Sequence, residues 1–176
     1  EQDILMLSDA GKAVRFKESD VRAMGRTARG VRGIKLADEQ RVISLIVPEE
    51  GGTILTASQR GFGKRTEVTE FPTKGRGTQG VIAMATSDRN GALVGAVQVF
   101  EGDEVMLVSD RGTLVRTRVD EVSVLGRNTQ GVTLIKVADK EKLVGVERIC
   151  DANEEVEVTE GDNSEAPGLS DKKDAS

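Results

Sequence analysis

The stretch Gly-Arg-Gly-Thr-Gln-Gly-Val at residues 75–81 is one of three copies of the pattern that decides the fold. The first copy, Gly-Arg-Thr-Ala-Arg-Gly-Val, occupies residues 25–31, and the third, Gly-Arg-Asn-Thr-Gln-Gly-Val, occupies residues 126–132. A pattern that returns after about 50 residues predicts a repeat architecture, in which each repeat is one supersecondary unit.

A second motif repeats with the same spacing. Ser-Asp-Ala-Gly at 8–11 returns as Ser-Gln-Arg-Gly at 58–61 and as Ser-Asp-Arg-Gly at 109–112. Because two separate motifs agree on one period, the body of the chain is predicted to hold three repeats. Their expected boundaries are residues 1–50, 51–101 and 102–150.

Each repeat is predicted to form four short strands, because apolar and β-branched runs alternate with turn residues. A hairpin is expected at each Ser-x-x-Gly turn, where the glycine can adopt a positive φ. The strands are expected at 4–7, 12–16, 31–36 and 42–47, at 53–57, 63–66, 81–85 and 93–99, and at 104–108, 113–117, 132–137 and 143–149.

Four strands per repeat of this length are typical of a propeller blade, so the fold class is all-β and propeller-like. Closed propellers usually have 4–8 blades. Three blades therefore indicate either a piece of a longer protein or an open arc.

The composition excludes several kinds of catalysis. The 176 residues include no His, Tyr or Trp and a single Cys. A nucleophile activated by histidine is therefore excluded, and so are zinc sites built from Cys and His. Cys150 follows an apolar strand and is expected to be a small buried hydrophobe. No stretch is long and apolar enough to span a membrane, so we expect a non-catalytic domain without metal, cofactor or membrane contact.

Charge is distributed unevenly along the chain, whose formal net charge is -5. Residues 1–150 hold 23 basic and 21 acidic side chains, whereas residues 151–176 hold two and nine. We expect this acidic tail to be mostly disordered, although the alternation Glu-Val-Glu-Val at 155–158 could add an edge strand. The tail could compete with an anionic ligand for the body, or it could simply aid solubility.

Two columns of arginines recur at equivalent positions of the repeats. They are Arg15, Arg65 and Arg116 in the second strand, and Arg26, Arg76 and Arg127 in the connection that follows. In a propeller, equivalent positions lie at equivalent radii, so these columns predict a basic stripe around one rim. Such a stripe fits the phosphates of bent duplex DNA.

An acidic column in the same connections offers a different interpretation. It consists of Asp20, Glu70 and Glu121. If these acids pair with the arginines within each blade, the columns only hold the loops, and a protein-interaction propeller becomes the alternative function. The basic excess is greatest in the second repeat, where residues 51–100 hold six basic and three acidic side chains.

Residues 59–65, Gln-Arg-Gly-Phe-Gly-Lys-Arg, place three cations and two glycines in one hairpin, an arrangement that suits a phosphate. The predicted DNA-binding residues are Lys12, Arg15, Arg26, Arg29, Arg60, Lys64, Arg65, Lys74, Arg76, Arg116, Arg118 and Arg127.

The chain resembles the C-terminal domain of bacterial DNA gyrase A. The resemblance is carried by Val-Arg-Ala-Met-Gly-Arg at 21–26, Gly-Lys-Arg-Thr at 63–66 and Gly-Arg-Asn-Thr-Gln-Gly-Val at 126–132. It implies a β-pinwheel of about six four-stranded blades in which neighbouring blades exchange strands. Residues 1–150 would be the last three blades and residues 151–176 the acidic tail.

The resemblance also implies a function. The family wraps double-stranded DNA around a basic rim and so supports ATP-dependent negative supercoiling by the type IIA holoenzyme. Implied partners are DNA, the N-terminal part of gyrase A and the gyrase B protein, in the bacterial cytoplasm and at the nucleoid. The catalytic tyrosine, ATP and Mg²⁺ would belong to other parts of the enzyme.

The chain departs from the family pattern at the hallmark box, Gln-Arg-Arg-Gly-Gly-Lys-Gly, which belongs to the first blade of the family. Residues 59–64 look like a degenerate copy of it. The corresponding protein of topoisomerase IV carries related blades and is an alternative, but three equal repeats favour gyrase.

Overall fold

Each repeat begins with a tight hairpin, because its Ser-x-x-Gly turn ends on a glycine with a positive φ. In the first repeat, Gly11 has a φ of 74° and its N–H donates to the Ser8 carbonyl at 3.0 Å. The computed structural model describes residues 2–150. The hairpins are β1 (Asp3–Ser8) with β2 (Lys12–Lys17), β4 (Thr53–Ser58) with β5 (Phe62–Glu67), and β8 (Glu104–Ser109) with β9 (Leu114–Arg118). A single 3-10 turn follows each hairpin, at Glu18–Asp20, Val68–Glu70 and Val119–Glu121.

The last strand of each repeat pairs antiparallel with the first strand of its own hairpin. These strands are β3 (Val42–Ile46), β7 (Leu93–Val99) and β11 (Leu143–Ile149). β7 contacts both β3 and β11, so the three sheets approach one another at this edge. The long connections that follow β2, β5 and β9 therefore lie at the opposite, outer edge.

Neighbouring repeats exchange a short strand at that outer edge. β6 (Val81–Ile82) of the second repeat pairs with β2 of the first, and β10 (Val132–Thr133) of the third pairs with β5 of the second. The sheet orders are β3-β1-β2-β6, β10-β5-β4-β7 and β11-β8-β9. Two sheets therefore have four strands, and the third has three.

The prediction of a strand over residues 31–36 is wrong. Ile34 forms only an isolated parallel bridge with Thr78, because no hairpin in the described chain lies where this segment would pair. The predicted strands 81–85 and 132–137 are shorter than expected. After β6, the N–H groups of Ala83 and Met84 both point to the Gly11 carbonyl, so the ladder does not continue.

Close approach at the exchanged strand explains one glycine column. Gly80 has a φ of 76°, and a Cβ there would overlap the backbone carbonyl of Ala13 in the neighbouring repeat. Gly30 has nearly the same φ, 79°, but a Cβ there would meet nothing within 4 Å. The glycine is thus required twice over only where two repeats meet.

Apolar side chains fill the spaces between successive sheets. One cluster joins Leu5 and Leu7 of the first repeat to Ile54 and Met84 of the second. Another joins the second repeat to the third and includes Leu55, Val99, Leu107 and Leu143, all fully buried. The core therefore holds the repeats together, as expected of stacked blades.

The predicted all-β, propeller-like fold of four-stranded blades is confirmed. The prediction for Cys150 is wrong, because its side chain is exposed just beyond β11. The acidic tail, including the expected strand at 155–158, lies outside the described residues. Among the helices of residues 2–150, none is long and apolar enough to cross a membrane.

Candidate nucleic-acid interface

The outer connections are basic and contain no carboxylate over most of their length. Residues 21–36 hold five cations and no acid, residues 72–87 hold two and none, and residues 122–137 hold two and none. Because the fold brings all three connections to the outer edge of the sheets, their charge is collected on one side of each repeat.

Backbone hydrogen bonds lay the first and second connections side by side. The Lys35 N–H donates to the Thr78 carbonyl at 2.8 Å, and the Gly77 N–H donates to the Gly33 carbonyl at 2.5 Å. The Arg76 side chain adds hydrogen bonds to the carbonyls of Asp20 at 3.0 Å and Arg32 at 3.1 Å. The basic surface is therefore continuous across this junction.

The third connection lies against the second in a similar way. The Ala85 N–H donates to the Thr129 carbonyl at 2.9 Å, and Nη1 of Arg127 donates to the Ile82 carbonyl at 2.8 Å. Successive connections thus form one band around the outer edge, which we call the basic band: residues 21–36, 72–87 and 122–137.

Four predicted DNA-binding residues are exposed and unengaged. Arg26, Arg29, Arg60 and Lys74 are exposed, and their side chains form no hydrogen bond or ion pair within residues 2–150. Three of them lie in the basic band, whereas Arg60 lies in a hairpin turn. Their charge is free to meet a phosphate.

Two further predicted residues, Arg116 and Arg118, are exposed but paired with carboxylates. Arg116 forms an ion pair with Glu104, and Nη2 of Arg118 lies 3.3 Å from Asp120. Exposed pairs of this kind are weak and contribute about 0–1 kcal/mol. Lys12, on β2, is half-buried, as are Arg15, Arg76 and Arg127.

Arg15 connects the first repeat to the second. Its guanidinium forms an ion pair with Asp3 at 2.5 Å and donates to the carbonyls of Val68 at 2.9 Å and Phe71 at 3.1 Å. Burial alone would raise the pKa of Asp3, but hydrogen bonds from Lys17 and Arg15 outweigh it and lower that pKa below its usual value.

Arg65 does the same one repeat later. It is 6% exposed, its Nε donates to the Val122 carbonyl at 2.8 Å, and its Nη1 lies 2.6 Å from Glu101. These two members of the first arginine column therefore clasp the following repeat rather than facing solvent.

Lys64 is also buried, with none of its surface exposed. Its ammonium donates to the carbonyls of Gly126 at 2.6 Å and Arg127 at 2.5 Å, and to Oγ1 of Thr129 at 3.0 Å. Burial, and next the charge of Arg127, lower the pKa of Lys64 to about 8. Lys64 and Arg65 therefore do not present their charge to a phosphate in this structure, because protein groups occupy their donors.

The acidic column does not neutralise the arginines. Within the described residues, Asp20, Glu70 and Glu121 form no ion pair, and the first arginine column pairs instead with Asp3, Glu101 and Glu104. The alternative in which each connection is closed by its own Arg–acid pair is not what the structure contains.

The expectation that the second repeat carries the strongest available charge is wrong, because two of its six cations are the buried Lys64 and Arg65. The first connection is the most basic instead. Arg22, Arg32 and Lys35 lie there, are exposed, and were missing from the predicted set. The absence of any acid from residues 21–36 is the sequence signal that could have identified them.

A cavity of about 860 Å³ opens at the hairpin-turn end of the repeats. Its walls carry both signs of charge, with Arg60, Arg89 and Lys140 beside Asp88 and Asp139. The Arg89 guanidinium stacks on the Phe62 ring at 4.9 Å. The mixed charge distinguishes this cavity from the basic band. No cluster of three or more His, Cys, Asp or Glu side chains suited to a metal ion occurs among residues 2–150.

These observations define a class: a repeat β-propeller domain whose outer surface is a continuous basic band. Comparison with known proteins gives the family. The family model described as "DNA gyrase C-terminal domain, beta-propeller" matches residues 2–49, 52–99 and 103–150. The chain belongs to this family.

The curated relatives are DNA gyrase A proteins. That of Pseudomonas aeruginosa is 65% identical over 148 residues, which are 84% of this chain and 16% of the relative. That of Escherichia coli strain K12 is 53% identical over 168 residues, which are 96% of this chain and 19% of the relative. The chain thus spans less than a fifth of the length of these relatives.

Solved structures show the same fold. A DNA gyrase A C-terminal domain matches with a TM-score of 0.78 and 29% identity, covering 85% of this chain and 51% of that one. The C-terminal domain of a DNA topoisomerase IV also matches with a TM-score of 0.78, covering 84% of this chain and 46% of that one. Its identity of 22% makes the second match a likeness of fold.

Proposed function

We propose that the chain binds double-stranded DNA along the basic band, without sequence specificity, and bends the duplex around its outer edge. The observation that carries the proposal is the band itself: nine cations on three adjacent connections with no carboxylate among them. Clusters of this kind attract the phosphate backbone and release its counterions.

The arrangement of the cations supports backbone contact rather than base reading. Arg26, Arg29 and Lys74 lie on connecting segments, not on a helix or a β-ribbon that could enter the major groove. Phosphate contacts position a duplex but carry no sequence information. Because the connections follow one another from repeat to repeat, a duplex that contacts all three has to curve with the propeller.

The family places this activity in a larger enzyme. We propose that the chain is a non-catalytic part of a gyrase-type topoisomerase and that its wrapping of DNA supports ATP-dependent negative supercoiling by the holoenzyme. The remainder of gyrase A and the gyrase B protein would be its protein partners, in the bacterial cytoplasm at the nucleoid. ATP and Mg²⁺ would act in those other parts.

The affinity of the chain for duplex DNA, measured against salt, tests the proposal. Two duplexes of unrelated sequence should bind equally, and a protein that neutralises 6–10 phosphates should lose about 10³–10⁵ in affinity between roughly 50 and 200 mM salt. A flat salt dependence would contradict DNA binding and would favour the protein-interaction alternative.

Wrapping has a separate readout. A nicked circular plasmid that is ligated in the presence of the chain should change its linking number if the duplex curves around the protein. Salt-dependent binding without a change in linking number would retain DNA binding but reject wrapping by these three repeats.

A further inference from the structure

Lys64 stands at a position that is apolar in the other two repeats. It pairs with Thr56 across the second hairpin, as Val14 pairs with Met6 in the first and Val115 with Leu107 in the third. A charged side chain that is completely buried is costly unless its donors are satisfied. The middle repeat therefore carries a special feature that its neighbours lack.

The partners of this ammonium all belong to one loop of the next repeat. The carbonyls of Gly126 and Arg127 and the hydroxyl of Thr129 accept hydrogen bonds from Nζ at 2.6, 2.5 and 3.0 Å. The Thr129 hydroxyl also lies 3.0 Å from the Gly126 carbonyl, to which it donates. The three N–H donors of a lysine are thus matched by three acceptors, and the loop closes around them.

Arg127 is carried by that same loop. One guanidinium nitrogen, Nη1, donates to the Ile82 carbonyl at 2.8 Å, and Nε is buried without an acceptor in the described chain. The side chain remains half-buried, so part of its guanidinium reaches the basic band. Since the Arg127 carbonyl is itself bound by Lys64, the lysine fixes the backbone from which this guanidinium projects.

The first junction achieves the same arrangement differently. There the equivalent loop is held by backbone hydrogen bonds from Gly77 to Gly33 and from Lys35 to Thr78, and Val14 has no donor to offer. The lysine is therefore needed at the second junction only, where Arg127 is the cation that the loop presents.

We propose that Lys64 is a positioning residue for DNA binding: from its buried site it holds the Gly126–Thr129 loop so that Arg127 meets a phosphate of the duplex. This inference rests on the proposed function. It assigns Lys64 an indirect role in DNA binding, in place of the direct phosphate contact expected from the sequence.

A double-mutant cycle on the 176-residue chain tests the inference. Lys64→Met keeps the length of the side chain and removes its charge, and Arg127→Ala removes the proposed contact. If Lys64 acts through Arg127, each single change should weaken duplex binding by about three- to tenfold, and the double variant should bind no worse than Arg127→Ala alone. Lys74→Ala, an exposed change in the second connection, is the control and should be additive with Lys64→Met.

Other outcomes are distinguishable. If the wild-type chain shows no salt-dependent binding, the proposed function fails. If it binds but Lys64→Met leaves the affinity unchanged under conditions where the variant is folded, or adds fully to Arg127→Ala, the inference is overturned and Lys64 is merely structural.

Thr129→Val provides the second variant, in case Lys64→Met does not fold. It removes one acceptor of the ammonium from a partly exposed loop. Its loss of affinity should be smaller than that of Lys64→Met and should vanish in the Arg127→Ala background. A loss that persists in that background would also overturn the inference.

Discussion

Two pairs of cations show how differently the same residue types are used. Lys64 and Arg65 are buried at a junction between repeats, and carbonyls of the next repeat occupy their donors. Arg26 and Arg29 are exposed on the basic band, with no partner in residues 2–150. The first pair holds the repeats together, and the second pair is available to DNA.

The difference teaches that a repeated basic column does not by itself indicate a ligand surface. Removing a buried cation leaves buried carbonyls unsatisfied, which costs stability. Removing an exposed and unpaired cation costs little stability but removes charge from the field that attracts a polyanion. Stability and DNA affinity should therefore respond to different sets of residues.

The largest effect on stability is expected from Gly80→Ala, because Gly80 lies at a junction. Ala would adopt an unfavourable positive φ and would also push its Cβ into the Ala13 carbonyl of the neighbouring repeat. We expect a loss of about 2–4 kcal/mol in the free energy of unfolding, measured with urea. Gly30→Ala is the matched control, with a similar φ and open space, and should cost only about 1 kcal/mol. Equal losses would show that the junction contact is unimportant.

A medium effect is expected from Arg65→Met. This change keeps most of the apolar volume but leaves the Val122 carbonyl and Glu101 without their partner. The loss in urea denaturation should be about 1–3 kcal/mol. Arg116→Met changes the same column at an exposed position and should cost less than about 1 kcal/mol. If the two variants were equally stable, Arg65 would not be acting as a clasp.

The smallest stability effect is expected from the titration of Lys64. Its pKa is about 8 in the folded chain and 10.5 as the ordinary value of an unfolded lysine. Between these values the unfolded chain binds a proton that the folded chain has released, so stability should rise as the pH increases from about 8 to 10. Urea midpoints over this range should rise more for the wild type than for Lys64→Met, by on the order of 1 kcal/mol. A parallel course for both proteins would place the ammonium in a more hydrated site.

The hairpins and the number of repeats follow from the sequence, because Ser-x-x-Gly turns and apolar runs are local signals. The shortness of β6 and β10 does not, since it depends on where the neighbouring repeat offers a pairing edge. The burial of Lys64 had a signal that went unused: the equivalent positions are Val14 and Val115. A cation in an apolar column points to a buried role.

The first arginine column had no such signal. Arg15 is half-buried, Arg65 is buried and Arg116 is exposed, although all three occupy the same position of a repeat. What differs is the packing of a following repeat over the side chain, which is present beyond β2 and β5 but not beyond β9 in the described chain. Long-range packing of this kind is not encoded in the residues of one repeat.

The central claim is that the basic band, and not the basic residues in general, binds DNA. The most direct test compares the salt dependence of duplex affinity for Arg26→Ala/Arg29→Ala with that for Arg41→Ala/Arg111→Ala. Both double variants remove two exposed charges, but Arg41 and Arg111 lie outside the band. The band variant should lower the slope of log affinity against log salt by about two, while the control should barely change it. An equal reduction in both variants, or none in either, would contradict the claim.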